Sequence, residues 1–313
     1  MTKLKRNHAK AESSLGGGMI TKVGIFTAII GSLFFFFNRG SGTEADSDKN
    51  YTIENNLDEP KSDTDINLSI ADNFLPSSTT GEVIKRLNYT LSYSEEHEQA
   101  EWVAYKLTKK SIQQSNVERT GDFRPDPKVR KGSASPRDYY NTGYDRGHMA
   151  PAGDMNFDKK AMSETFYMSN MSPQIRNFNG GIWRELEEST RDWAYDNNEI
   201  YVVTGPVLTQ GIREKIGDNG VSVPDLYYKI LLDITPPEMK AIAFLMPNEV
   251  SDKPLSNYTV SINKIEEITG IDFFYQLLED DTEEELESMI DISLWEISDK
   301  RQQLRVENWN KRK

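Results

Sequence analysis

The 313-residue sequence contains no cysteine and only three histidines. The first absence excludes disulfides, thiolate metal sites and cysteine nucleophiles. It assigns no compartment, because envelope proteins also do without cysteine. Net positive charge is missing too: the chain carries -13. That balance argues against a protein that coats nucleic acid, yet leaves room for a local basic cleft. The charge is uneven. Residues 1–40 carry +5, 41–75 carry -7, 76–276 carry -6 and 277–313 carry -5. No internal repeat is visible, and strands and helices do not alternate as regular βαβ units.

Long apolar runs are confined to one place, "VGIFTAIIGSLFFFF" at 23–37. It follows Lys3, Lys5, Arg6 and Lys10 and a Gly-Gly-Gly stretch at 16–18. Extended back to Met19, the run contains a single lysine, Lys22, close enough to the edge to snorkel. Its length lies at the short end for a membrane span and overlaps that of a signal-peptide core. No small-residue cleavage site follows Phe37, so an uncleaved signal-anchor is favoured over a cleaved signal peptide. The expected layout is a basic cytoplasmic segment (1–18), a transmembrane anchor (19–38) and a disordered acidic tether (39–74). The body then lies outside the cytoplasm, in a periplasmic or extracellular space.

The body, 75–276, is expected to be α+β with a mixed or antiparallel sheet. A strand is read around Leu87–Tyr93 and a helical or mixed segment around Glu95–Leu107. A loop-rich stretch follows at about 115–143. Strands are read at 199–208, 225–234 and 239–248, the last two joined as a hairpin at Pro236–Pro237. A helix over 261–271 closes near Gly270. Residues 277–313 start acidic and end basic; they are read as one or two exposed helices forming a solvated appendage.

The chemistry concentrates in "YDRGHMAPAGDM" at 144–155. An imidazole with an ordinary pKa of about 6.5 suits general-base work near neutrality. In an extended strand, Arg146 and His148 point one way and Asp145 the other. A guanidinium and an imidazole presented together suit a phosphate, one binding the anion and the other handling a proton. Further on, Asn170, Asn177 and Asn179 precede a helical pattern from about Gly181, with Ile182, Leu186, Thr190 and Trp193 as its buried stripe. Asn179 stands at the helix entrance and Glu187 eight residues on, about 80° past two full turns, so the two can share one broad side. Arg191 follows Glu187 by one turn. An amide oxygen and a carboxylate are poor zinc ligands but suit a hydrated hard ion such as magnesium. The plainer alternative makes Asn179 an N-cap and Glu187–Arg191 an exposed helix pair.

The ordered run "GYDRGHMAPAGDM", "TFYMSNMSPQ", "FNGGIWRELE" and "YVVTGPVL" closely resembles the DNA/RNA non-specific endonucleases, an endonuclease-G-like family with a ββα-metal (His-Me finger) site. The resemblance covers roughly residues 75–275. It implies His148 as general base and Asn179 as the one direct protein ligand of a divalent metal, Mg2+ or alternatively Mn2+. Glu187 would act on that metal through water. Asn170 would fix the site near the histidine, and Asp145 would brace the motif. Arg146 and Arg191 would support the loop or the scissile phosphate. Arg119 matches the phosphate-contacting arginine, with Arg124 as its competitor. The implied activity is hydrolysis of DNA and RNA to 5′-phosphate and 3′-hydroxyl ends. A second copy of the chain is an implied partner. Departures lie outside the site: Met149 where leucine is common, the acidic tether and the acidic C-terminal tail. Two other readings stay open. One is a non-cleaving nucleic-acid-binding envelope protein that retains the fold. The other is an enzyme acting on a different phosphodiester.

Overall fold

The computed structural model describes residues 73–77 and 81–311. The basic segment, the 19–38 anchor and nearly all of the tether lie outside the described residues. No helix among the described residues is long and apolar enough to cross a membrane. Phe74 is buried, its ring centroid 5.0 Å from that of Tyr201.

A seven-stranded antiparallel sheet organises the protein. Its strands are β1 (Glu82–Lys85), β2 (Thr90–Ser94), β3 (Gln99–Thr108), β6 (Glu199–Pro206), β9 (Leu226–Asp233), β10 (Lys240–Pro247) and β11 (Thr259–Val260), in that spatial order. Two smaller pairs stand apart, β4 (Tyr144–His148) with β5 (Met171–Ile175) and β7 (Ile212–Ile216) with β8 (Val221–Pro224). The helices are α1 (Lys109–Gln113), α2 (Lys159–Glu164), α3 (Arg184–Asp196), α4 (Ile262–Thr269), α5 (Asp280–Ser288) and α6 (Asp299–Leu304). The class is α+β.

Both faces of the sheet are covered, so its central strands read as continuous apolar runs. Along β9, Tyr227 and Leu231 join one core with Trp183, Leu186 and Trp193 of the α3 side. Tyr228, Ile230 and Leu232 join the other, with Ile262 and Ile265 of α4. The stripe read on α3 is buried as expected. Ser261 caps α4, and Gly270 ends it in the left-handed conformation that a residue without Cβ adopts most easily.

Three readings need correction. The run at 87–93 is not one strand: Leu87 is exposed in a turn between β1 and β2. Residues 99–107 are strand, not helix. β3 lies between β2 and β6, with Val103, Tyr105 and Leu107 on one core and Trp102 and Ala104 on the other. That period of two outweighs the helix-friendly acidic residues just before it. The tail is no solvated appendage. Trp295 packs edge-on against Trp193 at 5.4 Å, and Trp193 donates its indole N–H to the Glu296 carbonyl. Arg301 reaches Ser189, Glu188 and Asp192 of α3. Arg305 is fully buried and donates to Glu185 of α3 and to the carbonyls of Ser251 and Lys253. Two tryptophans and a buried ion pair hold this segment, a pattern without helical periodicity.

Removing Arg305 strands a buried carboxylate. R305A is expected to cost about 3–5 kcal/mol of stability, and replacing both partners (E185M with R305M) to cost less. Urea unfolding of the two variants measures the difference.

Candidate active site

β4, β5 and the helical segment that follows form a ββα unit. β4 pairs antiparallel with β5, Gly147 opposite Ser172 and His148 opposite Met171. Gly147 is required by space: a Cβ there would stand 2.1 Å from Oε1 of Gln174, which is wholly buried. The glycine lets the two strands close and sets His148 at the end of β4.

His148 is almost fully buried between two aromatic rings, with Phe166 edge-on at 5.0 Å and Phe123 at 5.7 Å. A guanidinium lies over each ring: Arg146 is 4.0 Å from the Phe123 centroid and Arg119 4.8 Å from that of Phe166. Arg146 and His148 thus share one side of β4, as strand alternation requires. Burial, reinforced by the charges of Arg119 and Arg146, lowers the imidazole pKa to about 3. The ring is neutral at physiological pH, and its Nε2 is buried with no hydrogen-bond partner among the described residues.

Asn170 locks the turn after the histidine. Its Oδ1 accepts from the Ala150 N–H, and its Nδ2 donates to the carbonyls of Ala150 and Thr165, all at 2.9 Å. Its own carbonyl accepts from the Met149 N–H at 3.0 Å. Asp145 turns to the other side, where Oδ2 accepts from Asn179 Nδ2 at 3.3 Å and Oδ1 from Arg176 at 3.4 Å. Asn179 is not an N-cap. It sits inside a π-type turn, Phe178–Trp183, that leads into α3.

Glu187 is half-buried on α3, and burial raises its carboxyl pKa to about 7. The charges of Lys229, Arg191 and Arg119 act in the opposite direction. Arg191 does not form an exposed pair with Glu187. It donates to Oδ1 of the fully buried Asp154 at 2.9 Å, and Asp154 Oδ2 accepts from Tyr105 at 2.8 Å. Gly153 permits this approach, since a Cβ would lie 3.1 Å from the Arg191 guanidinium. Lys229 is wholly buried in β9, its Nζ 5.0 Å from the Trp183 ring centroid, and burial lowers its pKa to about 8.

Arg119 and Arg124 separate clearly. The Arg124 guanidinium is committed to Asp122 and Ser163 and lies over Tyr167. That of Arg119 acts electrostatically on both His148 and Glu187. Sequence reasoning missed Asp154, Lys229, Phe123, Phe166 and Arg176. Asp154 stood in the motif without a role, and a lysine in "DLYYKILLDI" is an anomaly for a strand buried on both faces.

A family model described as DNA/RNA non-specific endonuclease matches residues 69–280. The chain belongs to that family. Mitochondrial nuclease EXOG of Homo sapiens is 34% identical over 206 residues, 61% of this chain and 56% of EXOG. Nuclease C1 of Cunninghamella echinulata var. echinulata is 35% identical over 214 residues, 64% of this chain and 85% of that protein. The crystal structure of the EndoG/EndoGI complex superposes with a TM-score of 0.62 at 32% identity, covering 67% of this chain and 91% of the matched one. The chain therefore spans little more than half the length of human EXOG.

The donor set fits a hydrated hard cation. No group of three or more His, Cys, Asp or Glu residues able to hold a metal gathers among the described residues. Asn179, whose Nδ2 is engaged by Asp145, keeps its amide oxygen for a ligand, and Glu187 adds a second hard oxygen donor. An ion that retains most of its water suits such a site.

The depressed pKa of His148 makes stability depend on pH. Below about pH 6.5 the unfolded chain gains a proton on this ring that the folded chain refuses, so stability falls with acidity. H148N is expected to lose less stability than wild type between about pH 7 and about pH 5. Urea unfolding at the two pH values checks the sign.

Proposed function

We propose that this protein is a metal-dependent endonuclease that hydrolyses DNA and RNA without sequence preference. One observation carries the reading: a buried, neutral imidazole between two ring-stacked guanidiniums, on a ββα unit that also presents Asn179 and Glu187. Family membership supports nuclease chemistry.

Arg119 and Arg146 receive the non-bridging oxygens of the scissile phosphate. His148 takes a proton from a water molecule lined up opposite the leaving 3′ oxygen. The hydroxide attacks phosphorus, the P–O3′ bond breaks, and the ends are 5′-phosphate and 3′-hydroxyl. Asn179 would hold a divalent ion, magnesium or manganese, directly, and Glu187 through water. When bound, that ion neutralises charge developing on the phosphate and the leaving oxygen. Asp145 orients the Asn179 amide, Asn170 holds the backbone after His148, and Asp154 pins Arg191 beside Glu187. Contacts to phosphate rather than base edges account for indifference to sequence. We place this activity outside the cytoplasm behind the 19–38 anchor, on the strength of the apolar run and its basic flank.

Residues 73–313 are expected to degrade plasmid DNA and RNA with magnesium and to lose that activity with a chelator. H148A should reduce the rate by about 10²–10⁴-fold or more. Retained activity in a folded H148A protein, measured by oligonucleotide cleavage, refutes the mechanism. R119A should lower kcat/KM more than R124A when both are compared at equal folded fraction. The reverse order reassigns the phosphate contact.

A further inference from the structure

A pocket of about 340 Å³ adjoins the site, and the reaction just described uses its Asp145, Arg146 and Asn179 but not its aromatic lining. Asp145, Arg146 and Asn179 form its inner side, and Phe123, Tyr139 and Tyr140 contribute aromatic wall. We infer that this pocket receives one unstacked nucleobase of the strand being cut, with Tyr140 as the stacking surface. Single-stranded nucleic acid is then preferred over closed duplex. The inference rests on the nuclease reading above and adds to it a substrate preference.

Tyr140 is 78% exposed, the most exposed large hydrophobic side chain among the described residues. No ring stacks on it among the described residues. It is not on a loose loop. Its N–H donates to the Arg137 carbonyl at 3.0 Å, the preceding Tyr139 is buried, and Asn141 turns the chain with a φ of 59°. The backbone that carries this aromatic face is thus fixed at a pocket that also includes Arg146. Arg176, also in the lining, keeps a side chain 62% exposed, and its contact with Asp145 is a long one at 3.4 Å. A guanidinium there suits the phosphate next along the strand.

The lining chemistry selects the ligand. Two arginines, an aspartate and two asparagines disfavour a purely apolar guest, whereas aromatic rings beside guanidiniums are what a nucleotide needs. The volume lies near the lower bound of roughly 300–1,000 Å³ for small-ligand pockets, enough for a single nucleoside-sized group. A base inside a duplex reaches it only after unpairing and unstacking, whereas one in a single strand needs far less.

The test compares wild type with Y140A and Y140F on three substrates: a single-stranded DNA oligonucleotide, a closed hairpin of the same sequence, and the single strand carrying one abasic residue beside the cut. Binding of the single strand is measured separately by fluorescence anisotropy, with each tyrosine variant placed in the H148A background. Y140A should raise KM for the single strand about tenfold, with a matching loss of affinity. It should have little further effect on the abasic strand, and Y140F should restore the wild-type KM. Wild type should cut the hairpin more slowly than the single strand. Normal cleavage with KM and affinity unmoved by Y140A overturns the inference and leaves the nuclease reading standing. So does an equal loss on all three substrates. If no substrate is cut but Y140A still weakens single-strand binding, the nuclease reading fails and the base pocket stands.

Discussion

Burying an imidazole next to two fixed positive charges is the constraint on which the rest of the site depends. A protonated ring would be desolvated and repelled at once, so His148 stays neutral. On the proposed reading the guanidiniums must still be close enough to hold a phosphate. Their stacking on Phe123 and Phe166 reconciles the two demands, because the same rings that desolvate the histidine also carry the arginines. Gly147 and Asn170 fix the backbone on either side, so the ring's place is set by packing rather than by a charge partner. A carboxylate against the imidazole would have raised its pKa instead.

Behind the helix the opposite rule holds. Glu187, Asp154, Arg191 and Lys229 form a buried set of two acids and two bases. Only Arg191–Asp154 is joined by a hydrogen bond in the structure. Lys229 faces Trp183 and influences Glu187 through space. Balanced charge in a low dielectric keeps such a set tolerable, while an incompletely bonded set remains responsive to a cation arriving in front of it. Glu187 is the member that faces both ways, toward this cluster and toward Arg119.

Much of this could be read from residue order, for identifiable reasons. Strand alternation alone put Arg146 with His148 and set Asp145 apart. Helical spacing predicted the buried stripe of α3, but the two regular turns read from Asn179 to Glu187 are interrupted by the π-type turn and the non-helical Gly181, and α3 begins only at Arg184. What escaped was set by contacts between distant segments. Lys229 reads as a flaw in an apolar strand until Trp183 and Glu187 are laid over it. Phe123 and Phe166 lie in stretches with no periodic pattern. Residues 99–107 misled because charged residues preceding a strand resemble a helix start. Arg305 looks like a surface residue until Glu185 is brought to it from 120 positions away.

The tail links these two levels. The family match ends at 280, yet the chain continues to Trp309 and grips α3 along the flank away from the site. Glu185, Glu188, Ser189 and Asp192 all meet Arg301 or Arg305, while Arg184 stacks on Trp309. Glu187 and Arg191 alternate with these residues and point the other way, toward Lys229 and Asp154. One helix therefore carries two charged faces, and neither can rotate without breaking contacts on the other. At Gly181 the two levels nearly touch: a Cβ there would stand 2.7 Å from Oδ1 of Asn310, at the bend between Asn179 and Glu187. The C-terminal segment thus packs at the bend that joins the π-type turn to α3. Arg119 and Arg146 lie over the two rings that bury His148, and Arg301 and Arg305 anchor α3.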